Sequence, residues 1–141
     1  PTLLNPCNEI DNEMTKSTTD TSLSEILQSA VRYQQTGQLQ QAEKLCLKVC
    51  SIAPSQPDTL HLLAIIHAQT GRYQTANDFF TKAITSDPSR ADFLSNYGNA
   101  LWEQGCIDDA ITYCQHALEL EADRAETHNI LGNVVPRRGP K

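Results

Sequence analysis

Three glycines set 34 residues apart, Gly37, Gly71 and Gly105, constrain this chain more than any other feature of it. Ala42, Ala76 and Ala110 keep the same step, and Pro54 and Pro88 share it until Ala122 takes the third place in that column. The fragments GQLQQA, GRYQTA and GCIDDA repeat one layout: glycine, polar residue, apolar residue, two polar residues, alanine. A period of this length, held over three units, marks stacked supersecondary units that bury their apolar faces only against one another.

Each column has a physical reason, and together they describe a helix, a tight turn and a second helix. Glycine supplies the left-handed backbone that ends the first helix without a Cβ clash. Ala30, Ala64, Gly98 and Gly132 form a small-residue column in the first helices, and Ala42, Ala76 and Ala110 form another in the second helices. Small side chains let paired helices approach closely. Pro54 and Pro88 cannot continue a helix, because proline lacks the backbone donor. Ser55 with Asp58, Ser89 with Asp92 and Asp123 with Glu126 read as a capping residue followed by an acid that complements the helix dipole, and Ser22 with Glu25 does the same one residue out of register. The first helices are expected at about 23–35, 57–69, 91–103 and 125–135, and the second helices near 39–52, 73–86 and 107–121, with boundaries good to roughly two to four residues.

This layout resembles the tetratricopeptide repeat over residues 23–135. The stretch NYGNALWEQGCIDDAITYCQHALEL is similar to the family consensus, except that Cys114 stands where an aromatic is usual and Ala122 where proline is usual. The first unit departs further, through Ser29 and Cys46, which implies a looser N-terminal end. The resemblance implies an all-α fold, a right-handed superhelical stack of antiparallel helix pairs. It would comprise three repeats at about 23–56, 57–90 and 91–124 and a partial fourth at 125–135, within a domain at 22–135. It also implies a non-catalytic module, an adaptor or scaffold, that binds a peptide or protein segment in the concave groove of the stack. The wording LHLLAIIHAQTGRY is similar to bacterial arrays that precede glycosyltransferase, methyltransferase or sulfotransferase domains, so the alternative is the N-terminal recruiting array of a larger glycosyltransferase-like or methyltransferase-like enzyme.

The ends do not follow the repeat. Residues 1–21, rich in Thr, Ser, Asn and Asp, are expected to be a disordered lead-in whose apolar patch is PTLLNPCNEI. At the other end the fourth unit meets Pro136, and residues 136–141 form a tail. Either the half-unit caps the stack or the array is truncated; truncation is the favoured reading, and the absence of an initiator Met is consistent with it. Ile130, Leu131, Val134 and Val135 would then be left uncovered, which predicts self-association or fraying there.

Charge and cysteine usage exclude several classes. A net charge of −6, with 11 Lys and Arg scattered along the chain, disfavours a nucleic-acid surface. The longest apolar runs, such as Leu62 to Ile66, are far short of the roughly 20 residues that span a bilayer, and no signal-peptide pattern opens the chain. Five cysteines without a CxxC pair fit a reducing cytoplasm better than a disulfide framework. Cys46 and Cys50 could ligate a metal by spacing, but they share columns with Phe80 and Cys114 and with Ile84 and Leu118, and so read as core. A redox role would fall to Cys106 or Cys7. No GxSxG, HExxH or phosphate-cradling loop occurs, and no cofactor is implied. His67 and His128 replace the core residues Tyr33 and Leu94 of other units, and His116 falls on an outer polar face. His61 alone looks free to meet a ligand.

At about 100° per residue, Ile26, Ser29, Ala30 and Tyr33 face inward on the first helix, while Ser24, Leu27, Val31, Gln34 and Gln35 lie opposite. Stacking turns that second face into a concave surface. The step of 34 adds Asp58, His61, Ile65, Ala68 and Gln69, then Asp92, Ser95, Asn99, Trp102 and Glu103, then Glu126, Asn129 and Asn133. The residues expected to bind a protein partner are Leu27, Val31, Gln34, His61, Ile65, Gln69, Ser95, Asn99, Trp102 and Asn129. A competing reading covers the apolar ones with the chain's own Leu3 and Leu4. In family members that clamp a C-terminal carboxylate these columns carry lysine and arginine, which are missing here, so such a clamp is not expected.

Overall fold

The structure, a computed structural model, describes residues 22–138, with side chains as far as Asn133. Those residues form seven α-helices and no strand: α1 (22–35), α2 (Leu39–Ile52), α3 (Pro57–Gln69), α4 (Tyr73–Ser86), α5 (Ala91–Glu103), α6 (Ile107–Leu120) and α7 (Ala125–Arg138). They divide into two compact units that meet in sequence at Ile52 and Ala53. The first holds α1 and α2 and the second holds α3 to α7.

The glycine columns do what the period demands. Gly37, Gly71 and Gly105 have φ of 83°, 80° and 87°. After each, the chain closes the same pair of bonds, seen at Gly71 as Arg72 N–H to the His67 carbonyl (2.8 Å) and Gly71 N–H to the Ala68 carbonyl (3.1 Å). This left-handed closure satisfies the last carbonyls of the helix and sends the chain back antiparallel.

In the second unit α3 pairs with α4 and α5 with α6, while α5 and α7 also pack on the helices of the preceding pair. Ala64, Ala76 and Ala110 are fully buried at these contacts. Gly98 makes the closest approach: a Cβ added there would lie 2.6 Å from Cys114 Sγ and 3.1 Å from the Ala110 carbonyl oxygen. The aromatic column expected at Cys46, Phe80 and Cys114 is buried throughout. Phe80 stacks on Tyr97 at 5.1 Å between centroids, and Tyr97 meets Tyr113 at 4.6 Å. Where α4 meets the end of α5, Asn77 and Gln104 exchange a reciprocal pair of amide hydrogen bonds at 3.1 and 2.9 Å.

Two local expectations need correction. The caps of α3 and α5 are Gln56 and Arg90, each one residue later than Ser55 and Ser89. Gln56 Oε1 accepts both the Thr59 N–H (2.8 Å) and the Thr59 hydroxyl (2.9 Å), and so takes the place a serine would fill. Ser89 instead donates to Asp87 at 2.7 Å, and Arg90 is drawn into ion pairs. The acids Asp58, Asp92 and Glu126 do stand in the first turns. The last helix also continues past the expected end at 135, through Pro136 to Arg138. A proline in a final turn forfeits one backbone bond rather than a run of them. The expected lead-in at 1–21, with Leu3, Leu4 and Cys7, and the side chains of Val134 and Val135 lie outside the described residues.

Candidate functional site

The row formed by α3, α5 and α7 carries the surface features of the second unit. Ile65, Ala68, Trp102 and Ile130 are half-buried, each packed by one side against the cluster of Ala64, Phe80, Tyr97 and Leu101. Asn99, one turn before Glu103, donates from Nδ2 to its Oε1 at 3.1 Å. Gln69, Asn129 and Asn133 are exposed. The row therefore offers a strip of apolar contact area beside amide and carboxylate groups.

Two residues expected on this face are not available to a partner. His61 is 9% exposed and stacks on Phe93 at 4.4 Å, with its Nε2 3.0 Å from Asn96 Nδ2. Ser95 is fully buried and accepts a hydrogen bond from the Thr127 hydroxyl at 2.9 Å. The cause is geometric. A helical wheel shows which residues of one helix point away from its partner, but the next first-helix in the row packs along that edge. Within the second unit its neighbour therefore covers the column of His61 and Ser95, and in α7 the equivalent Asn129 reaches solvent. Asn96 and Thr127, which complete these contacts, were not singled out from the sequence. Their positions 35 and 32 residues after His61 and Ser95 are the only trace they leave there.

Burial holds His61 neutral. Its pKa is pushed down to about 4, chiefly by desolvation, against which Asp92 and Asp58 act to raise it while Arg90 and Arg124 act with the burial. Burial also pushes the Cys46 thiol up to about 12, helped by Cys50 and Glu43, and the Cys114 thiol to about 11. Cys50 is raised for the same reason. Such thiols are packing groups rather than nucleophiles. Among the described residues no group of three or more His, Cys, Asp or Glu side chains is arranged to hold a metal. His67 is buried and stacked on Phe79 at 5.4 Å, as its place in a core column requires, and His116 is exposed. His128 is exposed, its Nε2 2.8 Å from the Ala122 carbonyl oxygen.

Carboxylates and arginines edge the row. Arg90 bridges Asp58 of α3 (2.9 Å) and Asp92 of α5 (2.9 Å), and its guanidinium lies 4.2 Å from the Phe93 ring centroid. Arg124, one period on, pairs with Glu121 (3.3 Å) and Glu126 (3.0 Å). Burial raises the Asp92 carboxyl, but the hydrogen bond and charge of Arg90 outweigh it and leave the pKa below its ordinary value. The Arg90 guanidinium is stabilised as a cation mainly by its hydrogen bond to Asp92. Arginine repeating at 34 among acids that repeat with it was the legible signal for these bridges.

The first unit carries Leu27, Val31 and Gln34 as half-buried residues of α1. A separate open cleft of about 330 Å³ is lined by Ser29, Arg32, Tyr33, Thr36 and Gln38, with Arg32 donating to Ser29 at 3.3 Å and Gln38 to Thr36 at 3.2 Å. The residues of that cleft are not those of the predicted binding row.

Residues 67–134 match the family described as tetratricopeptide repeat. No curated protein matches the sequence. Among solved structures, an O-GlcNAc transferase of Thermobaculum terrenum is 32% identical with a TM-score of 0.80, over 82% of this chain and 22% of that one. The pilF protein of Pseudomonas aeruginosa is 28% identical with a TM-score of 0.78, over 84% of this chain and 55% of that one. The chain thus spans less than two thirds of either. The first repeat domain of Spaghetti (RPAP3), solved with the HSP90 peptide SRMEEVD, shares the fold at 18% identity and a TM-score of 0.75, over 84% of this chain and 94% of that one.

Proposed function

Because the chain belongs to the tetratricopeptide-repeat family, we propose that it is a non-catalytic, cytoplasmic interaction module that binds a segment of another protein on the row of α3, α5 and α7. The observation that carries this reading is the half-buried strip of Ile65, Ala68 and Trp102, seated on the core yet open on one side, beside Asn99, Gln69 and Asn129. A partner's apolar side chain would remove the open side from water, and the amides would satisfy its backbone or polar groups. Tryptophan supplies large contact area at small entropic cost, which places Trp102 at the centre of the binding energy. In the first repeat Val31 and Gln34 stand one period before Ile65 and Ala68, while Leu27 stands one period before His61, in the column that the second unit buries. The negative net charge argues for protein rather than nucleic acid as the partner. Among the described residues no helix is long and apolar enough to cross a membrane.

The test uses the single tryptophan as reporter. Binding of the partner should alter Trp102 fluorescence. Ile65→Glu and Trp102→Ala should each weaken binding by on the order of 1 to 3 kcal/mol without loss of helix content. Lys82→Ala and His116→Ala, on exposed positions of the second helices, should change little. Loss of binding in the outer-face variants alone would move the site to the other side of the stack.

A second reading, in which these repeats recruit partners for a larger enzyme, is supported by the 32% identity to a segment of the O-GlcNAc transferase. Translation of the gene beyond codon 141 separates the two: an adjoining catalytic domain selects the second reading, and a stop codon the first.

A further inference from the structure

The chemistry edging this row specifies what a partner must bring. Between Ala53 and Asn133 the basic side chains are Arg72, Lys82, Arg90 and Arg124, against eleven carboxylates. The two arginines at the row, Arg90 and Arg124, are each held between two acids, so each triad keeps one negative charge in excess. Arg90 reaches Asp58 through Oδ1, and Glu103 is met by the Asn99 amide, a neutral donor. Among the described side chains the row therefore has acceptor capacity at its edges and no cation in its own columns with which to greet an acidic ligand.

The charges are also spaced. Asp92 stands in the first turn of α5 and Glu103 at its end. Eleven residues of helix separate them by about 16 Å along the axis. Trp102 and, on α3, Ile65 provide the apolar strip of the same row. An extended segment covers about 16 Å in about five residues.

Resting on the interaction-module reading above, we propose that the row of α3 and α5 takes a basic-apolar segment: an apolar side chain seated on Ile65 and Trp102, flanked by Lys or Arg about five positions apart, one beside the Asp58–Arg90–Asp92 bridge and one at Glu103. The arrangement rejects acidic tails, whose carboxylates would be set against Asp58, Asp92 and Glu103, with Arg90 already shared between two acids. Ion pairing at this partly exposed rim acts mainly through selectivity and association rate, and the apolar strip supplies the affinity.

Panning a random peptide library displayed on phage over the immobilised full chain tests the proposal. Enriched peptides should carry two basic residues about five positions apart around an apolar one. A labelled synthetic copy of the best of them should bind about tenfold more weakly to Glu103→Lys, and unchanged to Glu119→Lys, an exposed charge reversal on α6. Its affinity should fall as salt rises. Enrichment of acidic or uncharged peptides whose binding is still lost in Ile65→Glu overturns the charge preference and leaves the binding face standing. No enrichment at all, or binding indifferent to both Ile65→Glu and Trp102→Ala, overturns the face as well.

Discussion

Substituting Gly98 by alanine probes the tightest contact between paired helices. The added Cβ would lie 2.6 Å from Cys114 Sγ, against the roughly 3.5 to 4.0 Å of ordinary van der Waals contact, and 3.1 Å from the Ala110 carbonyl oxygen. Relief requires α5 and α6 to part or Cys114 to leave its position, and overpacking of this kind costs about 1 to 3 kcal/mol. Alanine in place of glycine within a helix returns about 1 kcal/mol. The net effect should be a loss of up to about 2 kcal/mol. Gly132 occupies the same column in α7, where an added Cβ meets nothing within 4 Å among the described residues, so Gly132→Ala should be neutral or stabilising by up to about 1 kcal/mol. The cause is isolated by removing the thiol: in a Cys114→Ala background only the Ala110 oxygen remains close, and Gly98→Ala should become close to neutral. Urea denaturation followed by far-UV circular dichroism gives the four corners of this cycle, with an expected coupling of up to about 2 kcal/mol. A Gly98→Ala variant more stable than the parent, or one whose effect is unchanged in the Cys114→Ala background, would refute the close-approach account.

Stability should also fall with acid on account of His61. Its folded pKa, lowered from 6.5 to about 4, means that the unfolded chain takes up the proton first. The contribution is therefore complete above about pH 6.5 and is lost progressively as pH falls to about 4, with a total near 3 kcal/mol at about 1.4 kcal/mol per unit. A His61→Phe variant should lose most of this slope in urea midpoints taken across that window, and an unchanged slope would assign it to other groups. At the C-terminal end, Ile130 and Leu131 are half-buried, and the face of α7 that carries Gly132 is open among the described residues. We expect the isolated chain to associate with a second copy there, seen as a concentration-dependent mass in sedimentation that Leu131→Glu abolishes. A monomer at all concentrations, with α7 amides protected from exchange through Asn133, would make α7 a cap instead.

The architecture was legible because the period is redundant: glycine, alanine and proline columns each report the same register, so substitutions such as Ala122 do not obscure it. The turns at Gly37, Gly71 and Gly105 were readable for the stronger reason that a left-handed residue admits few alternatives to glycine. Cap identity was not, since Gln56 performs a serine's task with a longer side chain and Arg90 is claimed by two carboxylates from either side. The same limit applied to the site. Ile65, Asn99 and Trp102 lie where a single helix's wheel puts them, whereas the surroundings of His61 and Ser95 are decided by Phe93, Asn96 and Thr127 on the next helix of the row.

That difference divides the outward columns of the first helices into two roles, a seam between successive repeats and a face left for a partner. The seam is polar at its centre, through Ser95 and Thr127, and both residues are fully buried. A buried hydroxyl deprived of its partner costs about 1 to 3 kcal/mol, whereas removal of both members is close to neutral. Ser95→Ala and Thr127→Val should therefore each destabilise by about 1 to 2 kcal/mol, and the double variant should be more stable than the sum of the two predicts. Because the pair lies beneath the face rather than on it, the double variant should bind a partner selected on Ile65 and Trp102 with unaltered affinity. Chemical denaturation and fluorescence titration of the same four proteins measure the two effects separately. Additive losses in stability would remove the hydrogen bond from the account, and a loss of binding in the folded double variant would return Ser95 to the binding surface and overturn the division between seam and face.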